Sequence, residues 1–169
     1  MRVLALYLKE FEYKKVSGKD VLVENVSSSD RQVLDALHSL GHDAVMMEYD
    51  KSSLKSVKGN FDLVFNLCDG LENDDEFQEV PILKQIEKLD IPFTGNSSKV
   101  VKDCCDKSVI KRVLFKNSIL TPNFQVFKQA NRKLKSSLHF PLIVKPLCTD
   151  GGVGISNKSV VHNKAELKK

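Results

Sequence analysis

Apolar residues occur in the first half of the chain as short unbroken runs, with helically spaced sets between them. Residues 2–8 (RVLALYL) form a run flanked by charge, the pattern of a strand buried on both faces. In SSSDRQVLDALHSLGH, residues Val33, Leu34, Leu37 and Leu40 recur at helical spacing and predict an amphipathic helix. Ser29 or Asp30 is suited to cap its start, and Gly41 to supply a left-handed residue past its end. Residues 43–48 predict a second strand and 61–67 (FDLVFNL) a third. Strand, helix, strand is the order of a parallel α/β sheet. Residues 10–28 read as polar and irregular, with a turn at Gly18. An acidic loop (DGLENDDE) then leads to a helix carrying Val80, Ile82, Leu83, Ile86 and Leu89. Pro81 falls in its first turn, where a missing N–H costs little. IPFTG (91–95) predicts a short strand ending at Gly95.

From residue 96 the pattern changes. Residues 97–104 and 106–117 predict helices, the second with Val109, Ile110, Val113 and Leu114 on one side. Strands are expected at 123–128 (NFQVFK), 141–145 (PLIVK) and 154–161, with a basic linker after the first and a glycine-rich turn after the second. The last segment starts as a helix, with Asn163 as cap and Glu166 three residues later. The expected fold class is α/β: an open doubly wound sheet over residues 1–95, then an α+β portion over 96–169.

Composition narrows the classes. The 169 residues are 41% hydrophobic and 28% charged, which suits a globular chain rather than a disordered one. No run approaches the ~18 apolar residues of a membrane span, and the opening run is too short and too soon charged for a secretory leader. Charge is split unevenly. Residues 1–98 carry 11 basic and 18 acidic side chains, whereas residues 99–169 carry 15 and 4. A basic half calls for a polyanion. It lacks interleaved aromatics and a recognition helix, so a phosphorylated small molecule is favoured over nucleic acid. Cys68 and Cys148 stand alone and Cys104–Cys105 are adjacent. That spacing suits free thiols in a reducing cytoplasm rather than a zinc site, the adjacent pair packing within a helix. The acidic loop (Asp69, Glu72, Asp74, Asp75, Glu76) lacks the alternating ligands of a calcium loop and is read as solvated, or as a substrate-side edge.

The segment Lys145-Pro146-Leu147-Cys148-Thr149-Asp150-Gly151-Gly152-Val153-Gly154 joins two expected strands. It has neither the Lys-Ser/Thr of a Walker sequence nor the helix of a dinucleotide fingerprint. Its glycines would let backbone N–H groups approach a phosphate chain, and Lys145 would place an ammonium beside it. Upstream, Asp106-Lys107 opens a helix and Thr121-Pro122 follows it.

The order of Val64-Phe65-Asn66 with Gly70, Ile91-Pro92-Phe93-Thr94-Gly95, Asp106-Lys107, Thr121-Pro122, Val144-Lys145-Pro146 and the glycine-rich hairpin resembles the ATP-grasp superfamily, in its D-alanine–D-alanine ligase-like branch. The resemblance covers residues 60–161 well and 1–59 in outline. It implies a Rossmann-like doubly wound pre-ATP-grasp domain over 1–95 and an incomplete ATP-grasp subdomain over 96–169. It also implies an ATP-dependent carboxylate–amine ligase, in which an acyl phosphate is attacked by an amine. Lys107, Lys145, Gly151, Gly152 and Gly154 are the implied ATP-binding residues, and Ser156 is structural. ATP and Mg²⁺ are the implied cofactors, with the metal ligands expected beyond Lys169. The chain is therefore expected to be an inactive fragment, cytoplasmic, with small carboxylate and amine substrates and a homodimer contact through its first domain. No Gly-Gly-x-Ser stretch follows the first strand, and glycines stand where D-alanine-specific members carry serines, which points away from D-alanine as substrate. A short non-catalytic module binding a nucleotide or a protein is the alternative.

Overall fold

The core of the first hundred residues is a three-stranded parallel sheet of β1 (Arg2–Tyr7), β4 (Asp43–Glu48) and β5 (Leu63–Leu67), in the order β4-β1-β5. The computed structural model describes residues 1–16, 19–25, 27–68, 72–73, 76–77, 79–129, 133–149 and 152–168, with the backbone alone described at 10–16, 19–25, 72–73 and 76–77. β1 lies centrally, Leu4 opposite Val45 of β4 and Val64 of β5. Val3, Leu4, Ala5 and Leu6 are all fully buried, as an unbroken apolar run requires when both faces are covered.

Strand alternation assigns the two faces. Val3, Ala44, Leu63 and Phe65 pack with Val33, Leu34 and Leu37 of α1 (Ser28–Ser39). Leu4, Leu6 and Val64 pack with Ile82, Leu83 and Ile86 of α2 (Glu79–Glu87) and with Leu89. Full burial of an aliphatic side chain of this kind stabilises by about 1.5–3 kcal/mol. α1 is capped by Ser27 rather than by Ser29 or Asp30. It ends where expected: Gly41 has φ +79°, its N–H donates to the His38 carbonyl at 2.9 Å, and that of His42 donates to Leu37 at 3.1 Å. Leu40 departs from the expected apolar face. It is the C-cap and is 72% exposed.

The described residues 10–16 and 19–25 are not irregular. β2 (Glu10–Val16) and β3 (Lys19–Asn25) form an antiparallel hairpin with Tyr13 opposite Leu22. Phe11 and Tyr13 already alternate with charge in the sequence, a period of two hidden by the high charge content. Gly18 lies outside the described residues. Two-residue strands β6 (Glu72–Asn73) and β7 (Glu76–Phe77) pair within the acidic loop. Asp69, Gly70, Asp74 and Asp75 lie outside the described residues.

Residues 91–95 make one parallel bridge, Phe93 to Val64, rather than a full strand. The Val64 N–H donates to the Pro92 carbonyl at 2.9 Å, and that of Thr94 donates back to Val64 at 3.0 Å. The Asn66 N–H donates to the Thr94 hydroxyl at 2.9 Å, so a side chain replaces the next rung. The IPFTG segment is thereby placed alongside Val64-Phe65-Asn66.

Contacts divide the chain into two units, Met1–Val101 and Lys102–Lys169, with the division inside α3 (Ser98–Cys105). Cys104 is exposed, so the adjacent cysteines are not both buried by helix packing. The second unit holds α4 (Lys107–Lys116), a two-stranded ribbon of β8 (Leu142–Ile143) and β9 (Val160–Val161), and α5 (Lys164–Leu167). The strands expected at 141–145 and 154–161 are thus reduced to two residues each. A 3-10 turn at Asn157–Ser159, capped by Ser156, interrupts the second. No strand forms at 123–128. Gln125 instead donates from its amide to the Lys133 carbonyl at 3.0 Å and accepts from the Lys135 N–H at 2.8 Å, while Asn123 reaches the Ser137 carbonyl at 3.3 Å. Side chains on alternate residues hold this segment where a backbone ladder was expected. Among the described residues no helix is long and apolar enough to cross a membrane.

Candidate functional site

In the second unit the N-terminus of α4 is bonded to the segment that leads into the glycine-rich turn. Asp106 caps that helix, its Oδ1 accepting from the Ser108 N–H at 2.8 Å and the Val109 N–H at 3.3 Å. Hydrogen bonding from Ser108 holds the Asp106 carboxyl below the usual aspartate range; burial opposes it, and lesser contributions from the Val109 N–H and the Arg112 charge add to the lowering. The carboxylate thus stays ionised at a helix end whose first N–H groups have no acceptor one turn back within the helix.

Lys107 is the first helical residue. Its backbone N–H donates to the Leu147 carbonyl at 3.1 Å, and its ammonium donates to the Thr149 carbonyl. Lys107 therefore holds the start of the glycine-rich segment through two donors. Lys111, one turn later on the same face, donates to the Thr121 hydroxyl at 2.5 Å and the Pro122 carbonyl at 2.9 Å, 6.0 Å from the centre of the Phe124 ring. Two lysines four residues apart thus tie α4 both to the glycine-rich segment and to the Thr121-Pro122 entry. Sequence reasoning missed Lys111. Its i+4 spacing from Lys107 was the available signal.

The glycine-rich turn is built for backbone approach. Gly152 has φ +79° and Gly154 φ +71°, conformations that L side chains rarely adopt. The Ile155 N–H donates to the Gly152 carbonyl at 3.0 Å, and the Thr149 hydroxyl donates to the Val153 carbonyl at 3.3 Å. Space around Gly152 is open, whereas a Cβ at Gly154 would meet Cγ of Pro146 at 2.9 Å. That contact sets the turn against the residue following Lys145, whose own side chain is exposed. Gly151 lies outside the described residues. Ser156 acts on the 3-10 turn, accepting from the Lys158 N–H at 3.2 Å while its own N–H donates to Ser159 Oγ at 3.0 Å.

A groove of about 360 Å³ lies elsewhere in this unit, lined by Phe124, Gln125, Val126, Lys128 and Lys135, and none of the candidate residues lines it. Among the described residues there is no group of three or more His, Cys, Asp or Glu side chains that would hold a metal ion.

No family model matches the chain. Curated relatives do. It is 30% identical over 146 residues to the uncharacterized protein y4sG of Sinorhizobium fredii, covering 80% of this chain and 41% of the relative. It is 29% identical over 148 residues to the D-alanine–D-alanine ligase of Pelagibacter ubique, covering 82% and 47%. It is 29% identical over 140 residues to that of Aquifex aeolicus, covering 82% and 46%. The chain spans less than half the length of these relatives. With some four-fifths of its residues aligned to such ligases, the chain is a relative of the D-alanine–D-alanine ligases, in the D-alanine–D-alanine ligase-like branch of the ATP-grasp superfamily.

Proposed function

We propose that this chain contributes the nucleotide-facing side of an ATP-dependent carboxylate–amine ligase of the D-alanine–D-alanine ligase type. In this reading residues 1–95 are the pre-ATP-grasp domain and residues 96–169 begin the ATP-grasp region. ATP would supply the phosphoryl group that activates a carboxylate for attack by an amine. The chain's own residues would bind and orient it. Lys107 and Lys145 would place positive charge on the phosphates, and Gly152 and Gly154, with Gly151, would bring backbone N–H groups close to them. The observation that carries the reading is the convergence of Lys107, the capped end of α4 and the glycine-rich turn, with Lys145 one residue before the proline against which Gly154 packs.

The donor set fits an anion. It does not fit a magnesium ion, which needs oxygen ligands that the described residues do not group together. No role for the metal is assigned to these residues. The substrate pair is unspecified, and a cytoplasmic location accompanies the reading.

A thermal-shift titration with Mg·ATP tests it. The expected result is an upward shift for the wild-type chain that Lys145→Ala abolishes. No shift in a folded wild-type chain overturns the reading.

One observation favours a non-catalytic binding module as a second reading. Val113, Phe115, Ile119, Ile143, Val144 and Val160 are all exposed in the second unit, and Leu120 is 100% exposed. A stable complex with a second copy, shown by light scattering together with failure to bind nucleotide, would favour it.

A further inference from the structure

Both donors of Lys107 are already in use. The Lys107 ammonium is bonded to the Thr149 carbonyl and the Lys107 N–H to the Leu147 carbonyl, both on the segment that leads into the glycine-rich turn. Neither bond is a local consequence of helix formation. The partners are about forty residues apart, and a helix leaves the N–H of its first residue free for an outside acceptor. Asp106 satisfies the next two amides, Ser108 and Val109, so Lys107 alone at this helix start reaches across to the 147–149 segment.

We infer that Lys107 is an exchange latch. It clasps residues 147–149 in the free chain, and an incoming phosphate takes over its ammonium and releases them. This rests on the nucleotide reading above and adds regulation to it. A carbonyl is a neutral acceptor, while a phosphate oxygen is charged and binds an ammonium more strongly, so the exchange runs toward the anion. The free chain keeps the cation satisfied and the segment docked. Occupancy frees the segment to rearrange over the ligand. Binding is weakened by the fraction of molecules in which the clasp is closed.

Amide hydrogen exchange at residue 107 tests the latch, because that N–H is the second half of the clasp. In Lys107→Met the amide remains but the ammonium is gone. Exchange at residue 107 is expected to accelerate about tenfold, the scale of losing one charged hydrogen bond, while Ser108 and Val109 stay protected. Their protection reports that α4 is still formed. Adding ATP to the wild-type chain is expected to accelerate residue 107 similarly and to leave Lys107→Met unchanged. If ATP perturbs Gly152 and Gly154 but leaves exchange at residue 107 unaltered, the latch is overturned and the nucleotide reading stands. If ATP perturbs nothing, the nucleotide reading falls and the exchange with it. If Lys107→Met exchanges as slowly as wild type at residue 107, the clasp itself is refuted whatever ATP does.

Discussion

Gly154 packs so closely on Pro146 that a Cβ at position 154 would lie 2.9 Å from the proline Cγ, a ring carbon with little freedom to move. At Gly152 the same addition meets nothing within 4 Å, yet both residues have positive φ. The pair separates two costs. Gly152→Ala should lose about 1 kcal/mol, from conformation alone. Gly154→Ala should lose about 2–3 kcal/mol, because overpacking adds to the same conformational cost. Urea unfolding of the two variants measures the difference, and equal losses would mean that Pro146 yields freely.

Glu87, at the end of α2, ties that helix to Ser98, the first residue of α3. It accepts from the Ser98 N–H and from the Ser98 hydroxyl, each at 2.7 Å, and Ser98 is 7% exposed. The Ser98 hydrogen bonds hold the Glu87 carboxyl below its ordinary range. A lowered folded-state pKa adds stability that is present above the unfolded value, about 4.3, and lost as pH falls through the folded one. Unfolding midpoints should therefore decline between about pH 5 and pH 3, and less steeply in Ser98→Ala. Parallel pH profiles for the two proteins would remove Glu87 as a source of acid sensitivity.

Leu83 is 1% exposed and packs under β1 with Leu4, Leu6 and Val64. Leu83→Ala should cost about 2–5 kcal/mol, the range for emptying a well-packed leucine site. Leu40→Ala, at the 72% exposed C-cap of α1, should cost under about 0.5 kcal/mol. The sequence pattern alone puts both leucines on apolar helical faces. Chemical denaturation of each variant checks the contrast.

What was readable in the chain was local. The run Val3–Leu6 declares a strand covered on both faces, and Gly41 declares a helix end, because each signal lies within a few residues. The hairpin at Glu10–Asn25 was obscured because Phe11 and Tyr13 alternate with charges that read as a loop. Residues 123–128 misled in the other direction. They alternate like a strand, but Gln125 and Asn123 make with their side chains the bonds that a ladder would make with backbone. Lys107 and Lys145 stood out by residue type and motif order. The clasp of Lys107 on Thr149 did not, since a hydrogen bond spanning forty-two positions to a backbone carbonyl leaves no mark on residue identity.

The central claim is that phosphate binds where α4 meets the glycine-rich turn. Mapping amide chemical-shift changes on titration with ATP tests it most directly. Changes concentrated at Lys107, Ser108, Lys145, Gly152 and Gly154, and diminished in Lys145→Ala, are the result predicted. Changes confined to the groove at Phe124, Gln125, Val126, Lys128 and Lys135, or to the first unit, would contradict it.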